Sequence, residues 1–131
     1  MEIDVEFPGG QKVQTTIKGH TILTDQPTKY GGDDSGPSPF HLFLASIATC
    51  SGYFALAYLQ NHDLPTEGLK VKATHEVDEK THHINSITMH VSTPKDFPKK
   101  HAKILKKAIG YCTVKQHLEN PPKIDVKIDG E

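Results

Sequence analysis

Residues 40–59 read FHLFLASIATCSGYFALAYL, a run that contains no Asp, Glu, Lys or Arg. Ser38 and Pro39 precede it and favour a helix start, because serine caps helix N-termini and proline suits the first helical position. We therefore predict one long helix that begins at Pro39 and ends near residues 61–62. Its apolar side chains fall on every face, which is typical of a helix surrounded by protein.

The run is about long enough to span a bilayer. However, its Ser, Thr and Gly residues and the lack of flanking lysine clusters favour a buried soluble helix and no membrane partner.

Three strands are predicted before this helix. Residues 2–7 alternate apolar and polar side chains, as half-buried strands do, and residues 8–10 (Pro-Gly-Gly) predict a turn. Residues 12–17 and 20–24 are further strand-like segments, separated by a Lys-Gly pair at residues 18–19. Together the three segments predict an antiparallel meander.

The chain after the helix predicts a hairpin and a second helix. Strands are expected over residues 69–77 and 84–92, where apolar and polar side chains alternate, with a turn at residues 78–81. An amphipathic helix is expected after Pro98, because apolar residues recur there at helical spacing opposite a lysine face. Gly110 should end this helix.

A short helix and a last strand complete the predicted elements. The helix should run from about Cys112 to Leu118, and the strand is indicated by the alternating Ile124, Val126 and Ile128. The order of elements predicts a single α+β domain over residues 1–131, with antiparallel sheets packed on a long central helix. Because one small domain cannot cover a helix that is apolar all round, we also predict an obligate homodimer.

Composition limits the classes of partner. All 15 basic residues are lysines, and the net charge of −1 gives no electrostatic reason to expect nucleic-acid binding. The acidic, alternating N-terminus is unlike a signal peptide. Two cysteines without a signal peptide argue against a disulfide scaffold, so we expect a cytoplasmic protein with mostly reduced thiols.

The two cysteines are the main candidates for chemistry. Cys50 lies in the apolar run, about three turns into the predicted helix, where that helix's own dipole helps a thiolate little. Cys112 falls in the first turn of the short helix, where unpaired backbone N–H groups stabilise an anion. The residues alone leave two interpretations open: inert buried cysteines, or a nucleophile with its resolving partner.

Other kinds of site find little support in the sequence. The nine histidines are scattered, and neither an HExxH motif nor paired CxxC motifs occur. We therefore predict no bound metal and no other cofactor, with a Cys50/Cys112/His site as the best remaining metal candidate. The chain also lacks the glycine-rich phosphate-binding motifs and the GxSxG elbow of hydrolases.

The segment SGPSPFHLFLASIATC at residues 35–50 resembles the signature of the OsmC/Ohr family, which has a Ser/Asn-Pro start and ends in a cysteine on a long helix. Residues 111–114 (Tyr-Cys-Thr-Val) resemble the family's second-cysteine motif. Residues 19–25 and 83–85 look most like its YhfA-like branch. The resemblance covers nearly the whole chain and implies an intertwined α+β homodimer with active sites at the subunit interface.

The resemblance also implies an activity. In such proteins the first cysteine attacks an organic hydroperoxide and becomes a sulfenic acid, the second cysteine condenses with it to a disulfide, and an external thiol reduces the disulfide. Cys50 would then be the peroxidatic cysteine and Cys112 the resolving one. Phe40, Phe43 and Phe54 could form an apolar pocket for the hydroperoxide.

The chain departs from the family pattern at the groups that activate the first cysteine. Peroxidase members use an arginine and a glutamate to hold the thiolate and orient the peroxide, but this chain contains no arginine. The arginine position looks like Gln11, and the glutamate position looks like Phe40, followed by His41. Glutamine can donate hydrogen bonds without charge, and a protonated histidine could supply positive charge.

Two functional hypotheses follow from the sequence. The first is an oxidoreductase of oxidative stress defence, a thiol-dependent organic hydroperoxide reductase of modest or specialised activity, with Gln11, Phe40, His41, Phe43 and Phe54 near its substrate. The alternative is a binder without peroxidase activity that keeps the pocket for an apolar or thiol-reactive small molecule.

Overall fold

The computed structural model describes residues 1–130 and divides into two compact units, Met1–Ala45 and Ser46–Glu131. Each unit is described separately below. The longest helix begins near the end of the first unit, and most of its residues belong to the second.

The first unit is built on a three-stranded antiparallel sheet. Its strands are β1 (Val5–Gly9), β2 (Lys12–Ile17) and β3 (His20–Thr24), in that spatial order. Thr15 pairs with Val5 on one side and with Ile22 on the other. The predicted meander is therefore confirmed. The first strand lies slightly later than predicted, and its last two residues, Pro8 and Gly9, belong to the segment for which the sequence predicts a turn.

Asp25 organises the loop that follows β3. Its side chain is 1% exposed and accepts hydrogen bonds from the Ser35 hydroxyl (2.6 Å) and from the backbone N–H groups of Gln26, Asp33 and Ser35. The Ser35 hydroxyl contributes most to holding the pKa of Asp25 far below its usual range, and these bonds outweigh the opposing effect of burial. The Lys12 ammonium lies 3.8 Å from the same carboxylate. A single carboxylate thus fixes the backbone of a loop rich in glycine.

Helix α1 (Pro39–Asn61) starts as the sequence predicts. The Ser38 hydroxyl accepts a hydrogen bond from the backbone N–H of His41 at 3.2 Å, which is the expected N-cap contact. Within the single chain α1 buries only part of its surface, at Ile47, Ser51, Ala55, Tyr58 and Leu59. Several large apolar residues stay exposed, including Phe40 (47%), Tyr53 (63%) and Leu56 (36%). By length and composition alone α1 could also cross a membrane, a criterion that core helices of soluble proteins meet as well.

The second unit combines a hairpin with two further helices. Strands β4 (Lys70–Val77) and β5 (Ile84–Ser92) pair antiparallel, and they are followed by α2 (Lys99–Ile109) and α3 (Thr113–Glu119). All four elements lie within a residue or two of the predicted positions. The core of the unit joins α1 to α2 through Ala55, Tyr58, Leu59 and Leu105.

The prediction of a last strand is wrong. Residues 121–128 are irregular, and Ile124, Val126 and Ile128 are 85%, 81% and 64% exposed. A strand needs a neighbour to receive its backbone hydrogen bonds, and the two sheets of the described chain contain only β1–β3 and β4–β5. The alternating pattern is present, but this segment has no partner strand within the described residues.

An aromatic cluster joins the end of α1 to the start of α2. The Tyr58 ring stacks on the His62 ring with centroids 4.1 Å apart, and its hydroxyl lies 2.7 Å from Nδ1 of His101. The Phe97 ring is tilted against the His101 ring, with centroids 6.2 Å apart. This cluster fixes the two helices against each other within the second unit.

Candidate functional site

The second unit brings its two cysteines together. Cys50 lies on α1 and Cys112 immediately precedes α3, and their side chains are hydrogen-bonded to each other although 62 positions separate them in sequence. Both thiols are free. Cys50 is partly exposed, whereas Cys112 is completely buried (0% exposed). The pair is therefore accessible from the Cys50 side.

Cys112 lies among hydrogen-bond donors that favour its thiolate. Burial alone raises the pKa of the Cys112 thiol, but hydrogen bonds from Cys50, from the Lys115 backbone N–H and from the Ser51 hydroxyl outweigh burial and lower it. The backbone N–H of Val114 adds to this effect. Cys112 occupies the N-cap position of α3 without a regular capping hydrogen bond from its side chain. The backbone N–H groups of Val114 and Lys115, in the first turn of α3, therefore favour the thiolate of Cys112 from the start of that helix.

Ser51 is a site residue that the sequence analysis missed. It follows Cys50 on α1, is 3% exposed, and directs its hydroxyl to the Cys112 sulfur. In the sequence, Ser51 is a small polar residue next to Cys50 in a mostly apolar run. This alone does not mark it as a site residue, because its hydroxyl gains a partner only where the fold places Cys112 beside it.

An apolar cavity of about 480 Å³ borders Ser51. Its walls come mainly from β5 and α2, and its apolar residues include Ile47, Ile87, Met89, Val91, Leu105 and Ile109. The charged side chains in the lining are Lys106 and Lys115. Such a cavity suits a small, mostly apolar molecule. If that molecule carried an anionic group, the ammonium group of Lys106 or Lys115 could bind it.

The other residues proposed from the sequence take varied positions. Gln11 lies exposed in the turn between β1 and β2, and His41 lies exposed in the first turn of α1. Phe40 and Phe43 stack on each other with centroids 5.5 Å apart. Phe54 is partly buried, and neither it nor the other two phenylalanines belongs to the lining of the cavity beside Ser51. Their contacts with a substrate stay predictions.

A metal site at the cysteine pair is not formed by residues 1–130. No group of three or more His, Cys, Asp or Glu side chains in this part of the chain could hold a metal ion. In particular, no histidine joins Cys50 and Cys112 as a third ligand.

Comparison with known proteins identifies the family of the chain and solved structures with a similar fold. The family model for the OsmC-like proteins matches residues 32–127, which include both cysteines. None of the curated proteins matches the sequence.

Several solved structures share the fold at low sequence identity. An OsmC-like protein from Mycoplasma pneumoniae is 13% identical with a TM-score of 0.71, over 92% of this chain and 87% of that one. The organic hydroperoxide resistance protein OsmC from Legionella pneumophila is 18% identical with a TM-score of 0.61, over 90% and 89%. The organic hydroperoxide resistance protein OhrB from Bacillus subtilis is 21% identical with a TM-score of 0.54, over 92% and 93%. These likenesses establish a mixed α and β fold with antiparallel sheets.

Proposed function

Because the chain belongs to the OsmC-like protein family, we propose that it is a thiol-dependent organic hydroperoxide reductase in which Cys50 is oxidised and Cys112 resolves. The observation that carries this proposal is the side-chain contact between the two cysteines. Solved relatives named as organic hydroperoxide resistance proteins give it further support. The activity would protect a reducing compartment such as the cytoplasm against oxidative stress.

The reaction proceeds through two steps at the dithiol. The Cys50 sulfur, as a thiolate, attacks the terminal oxygen of the hydroperoxide, so an S–O bond forms, the O–O bond breaks, and the alkoxide leaves as an alcohol after gaining a proton. The Cys112 thiolate then attacks the sulfur of the sulfenic acid, an S–S bond forms, and hydroxide leaves. An external dithiol reduces the disulfide and returns both cysteines to the thiol state.

The different exposure of the two cysteines suits this division of roles. A peroxide can reach Cys50, which is partly exposed, but it cannot reach Cys112, which is completely buried. A buried resolving thiolate that already contacts Cys50 needs little movement to close the disulfide, because the folded chain already holds the two side chains next to each other.

A homodimer is part of the proposal. The exposed apolar side chains of α1 and of residues 124–128 would be covered by a second copy of the chain, and Gln11, Phe40, His41, Phe43 and Phe54 would then be available to line a substrate site. Light scattering coupled to size-exclusion chromatography measures the mass directly. A monomer at micromolar concentration would contradict this part of the proposal.

The catalytic proposal is tested by turnover of cumene hydroperoxide with dihydrolipoamide as the reductant. We expect turnover in the wild-type protein, none in Cys50→Ser, and a Cys50–Cys112 disulfide by non-reducing mass spectrometry after one equivalent of peroxide. Absence of both turnover and the disulfide in the wild-type protein would rule out the reductase.

The cavity beside Ser51 favours a second candidate function, the binding of a small apolar molecule without peroxide chemistry. Its volume of about 480 Å³ is within the usual range for ligand pockets, and its lining is mostly apolar. Titration of the Cys50→Ser protein with the fluorescent probe 1-anilinonaphthalene-8-sulfonate separates the two functions. Tight saturable binding, combined with no peroxide turnover in the wild-type protein, would favour the binder.

A further inference from the structure

The cavity beside Ser51 lies within the second unit and has apolar walls on several sides. Four elements contribute to its lining, α1, β5, α2 and α3. Ile87, Met89 and Val91 alternate along β5, so their side chains lie on one face of the hairpin, and Leu105 contributes from α2. An apolar group that enters this space leaves water on several sides, which favours binding.

The charged groups in the lining are cations. They belong to Lys106 of α2 and Lys115 of α3, and among the described residues no Asp or Glu lines the cavity. A Cβ placed on Gly110 would lie 3.8 Å from the Lys115 Nζ atom and 3.7 Å from the Lys106 carbonyl oxygen. Both lysines therefore belong to the end of the cavity where α2 is followed by α3.

The two lysines differ in how far their charge is already neutralised. The Lys115 ammonium lies 3.3 Å from the Glu119 carboxylate, whereas Lys106 forms no ion pair with any residue in the described range 1–130. Helix α2 carries four further lysines and no acidic residue, so the potential around Lys106 is positive. Lys106 is therefore the stronger candidate to bind an anion.

We propose that this cavity binds an amphiphilic monoanion, with its apolar body between β5 and α2 and its carboxylate or sulfonate at Lys106. The inference deepens the second candidate function, on which it rests, and it requires no chemistry at the cysteines. A neutral molecule would leave Lys106 without a counter-ion. An amphiphilic cation would bring a like charge to a helix that already carries five lysines. Charge thus selects the ligand as much as shape does.

The first test compares three probes that have the same apolar chain and different head groups. Octanoate, octan-1-ol and octyltrimethylammonium are titrated into the reduced wild-type protein by isothermal titration calorimetry, below their critical micelle concentrations. We expect octanoate to bind about two- to fivefold more tightly than octan-1-ol, as for an exposed ion pair, and the cation to bind most weakly. Decanoate should bind more tightly still, by about three- to fourfold for each methylene group that is buried. Equal affinities for octanoate and octan-1-ol would overturn the inference.

Lysine substitutions test where the head group binds. Lys106→Gln should abolish the preference for octanoate and leave octan-1-ol binding unchanged. Lys103→Gln is the matched control, because Lys103 is exposed on the same helix and lies outside the lining. Glu119→Gln should tighten octanoate binding, since it leaves the Lys115 ammonium without its partner. Equal losses for Lys103→Gln and Lys106→Gln would mean a general attraction to α2, and they would contradict a site at Lys106.

Filling the cavity tests where the apolar body binds. Ala102 lines the cavity from α2 and is exposed in the single chain, so Ala102→Phe can fill the space without displacing a core side chain. We expect it to weaken the binding of octanoate and octan-1-ol alike. Ile104→Phe, at an exposed position of α2 outside the lining, should change neither affinity. Urea midpoints confirm that both variants are folded. Unchanged binding in folded Ala102→Phe would place the ligand elsewhere and refute the assignment.

The same titrations separate failure of this inference from failure of the proposed functions. If octan-1-ol binds as tightly as octanoate, the cavity is an apolar binding site and the preference for an anion is wrong. If neither probe binds, for example because side chains of a second copy fill the cavity, both the binding function and this inference are wrong. Turnover of cumene hydroperoxide decides the reductase independently of either result.

Discussion

The Tyr58 hydroxyl on α1 and the Nδ1 atom of His101 on α2 lie 2.7 Å apart in a partly buried contact. Tyr58 is also one of the core residues that join the two helices, and its ring stacks on His62. A polar contact and an apolar contact are therefore made by one side chain. They can be separated by removing the hydroxyl alone.

Tyr58→Phe should lower the free energy of unfolding by about 1–2 kcal/mol, because the His101 nitrogen loses its partner while the ring stays in the core. Urea denaturation monitored by circular dichroism measures the change. Tyr53→Phe is the control on the same helix, since Tyr53 is 63% exposed. Equal losses in the two variants would contradict the role of the hydrogen bond.

Neighbouring residues of α2 should differ strongly in their contribution to stability. Leu105 is 3% exposed in the core, whereas Ile104 is 55% exposed. Leu105→Ala should cost about 2–5 kcal/mol, since it leaves a cavity between α1 and α2, and Ile104→Ala should cost much less. The midpoints of urea unfolding give both values. A similar loss for Ile104→Ala would mean that its face is covered in solution.

Acid should weaken the loop that Asp25 holds. The hydrogen bonds from Ser35 and the loop backbone keep the folded-state pKa of Asp25 below its unfolded value of about 3.9. Its contribution to stability is therefore fully present above that unfolded value and is lost as the pH falls towards the folded-state pKa. Unfolding free energies from pH 6 to pH 2 should decline less steeply in Asp25→Asn than in the wild type. Asp129→Asn, at an exposed position, should follow the wild-type slope.

A substitution in the loop after β3 should disrupt its backbone. At Gly32 an added Cβ would overlap the carbonyl group of Gln26, and backbone atoms cannot move aside as a side chain can. Gly32→Ala should therefore destabilise the protein by more than about 1 kcal/mol. Gly52→Ala lies in a helix with open space at its Cβ, so it should be neutral or stabilising by up to about 1 kcal/mol. Thermal unfolding of both variants tests the contrast, and equal shifts would refute it.

Local signals explain why most elements were predictable. Ser38 and Pro39 set the start of α1 by capping chemistry, and the alternation in residues 84–92 set β5, because these preferences act within a few residues. The segment at Ile124, Val126 and Ile128 has the same kind of alternation, yet it forms no strand. A strand depends on a partner, and the sequence pattern carries no information on whether one is adjacent.

The site was only half predictable for the same reason. Resemblance to a family paired Cys50 with Cys112, but the burial difference between them and the Ser51 hydroxyl depend on how α1 and α3 pack. Asp25 is a further example. Its donors come from positions 26–35, and no periodic pattern marks a carboxylate that binds a loop backbone.

The complete burial of Cys112 affects how the protein's thiols are counted in the laboratory. A bulky maleimide can reach Cys50 in the native protein, but it reaches Cys112 only after denaturant has opened the second unit. Because the thioether that maleimide forms on Cys50 cannot be displaced by Cys112, a native count will report one thiol per chain and a denatured one will report two. A value of one should accordingly be understood as a shielded sulfur in a fully reduced sample, and it should not be taken as a sign of oxidative damage during purification.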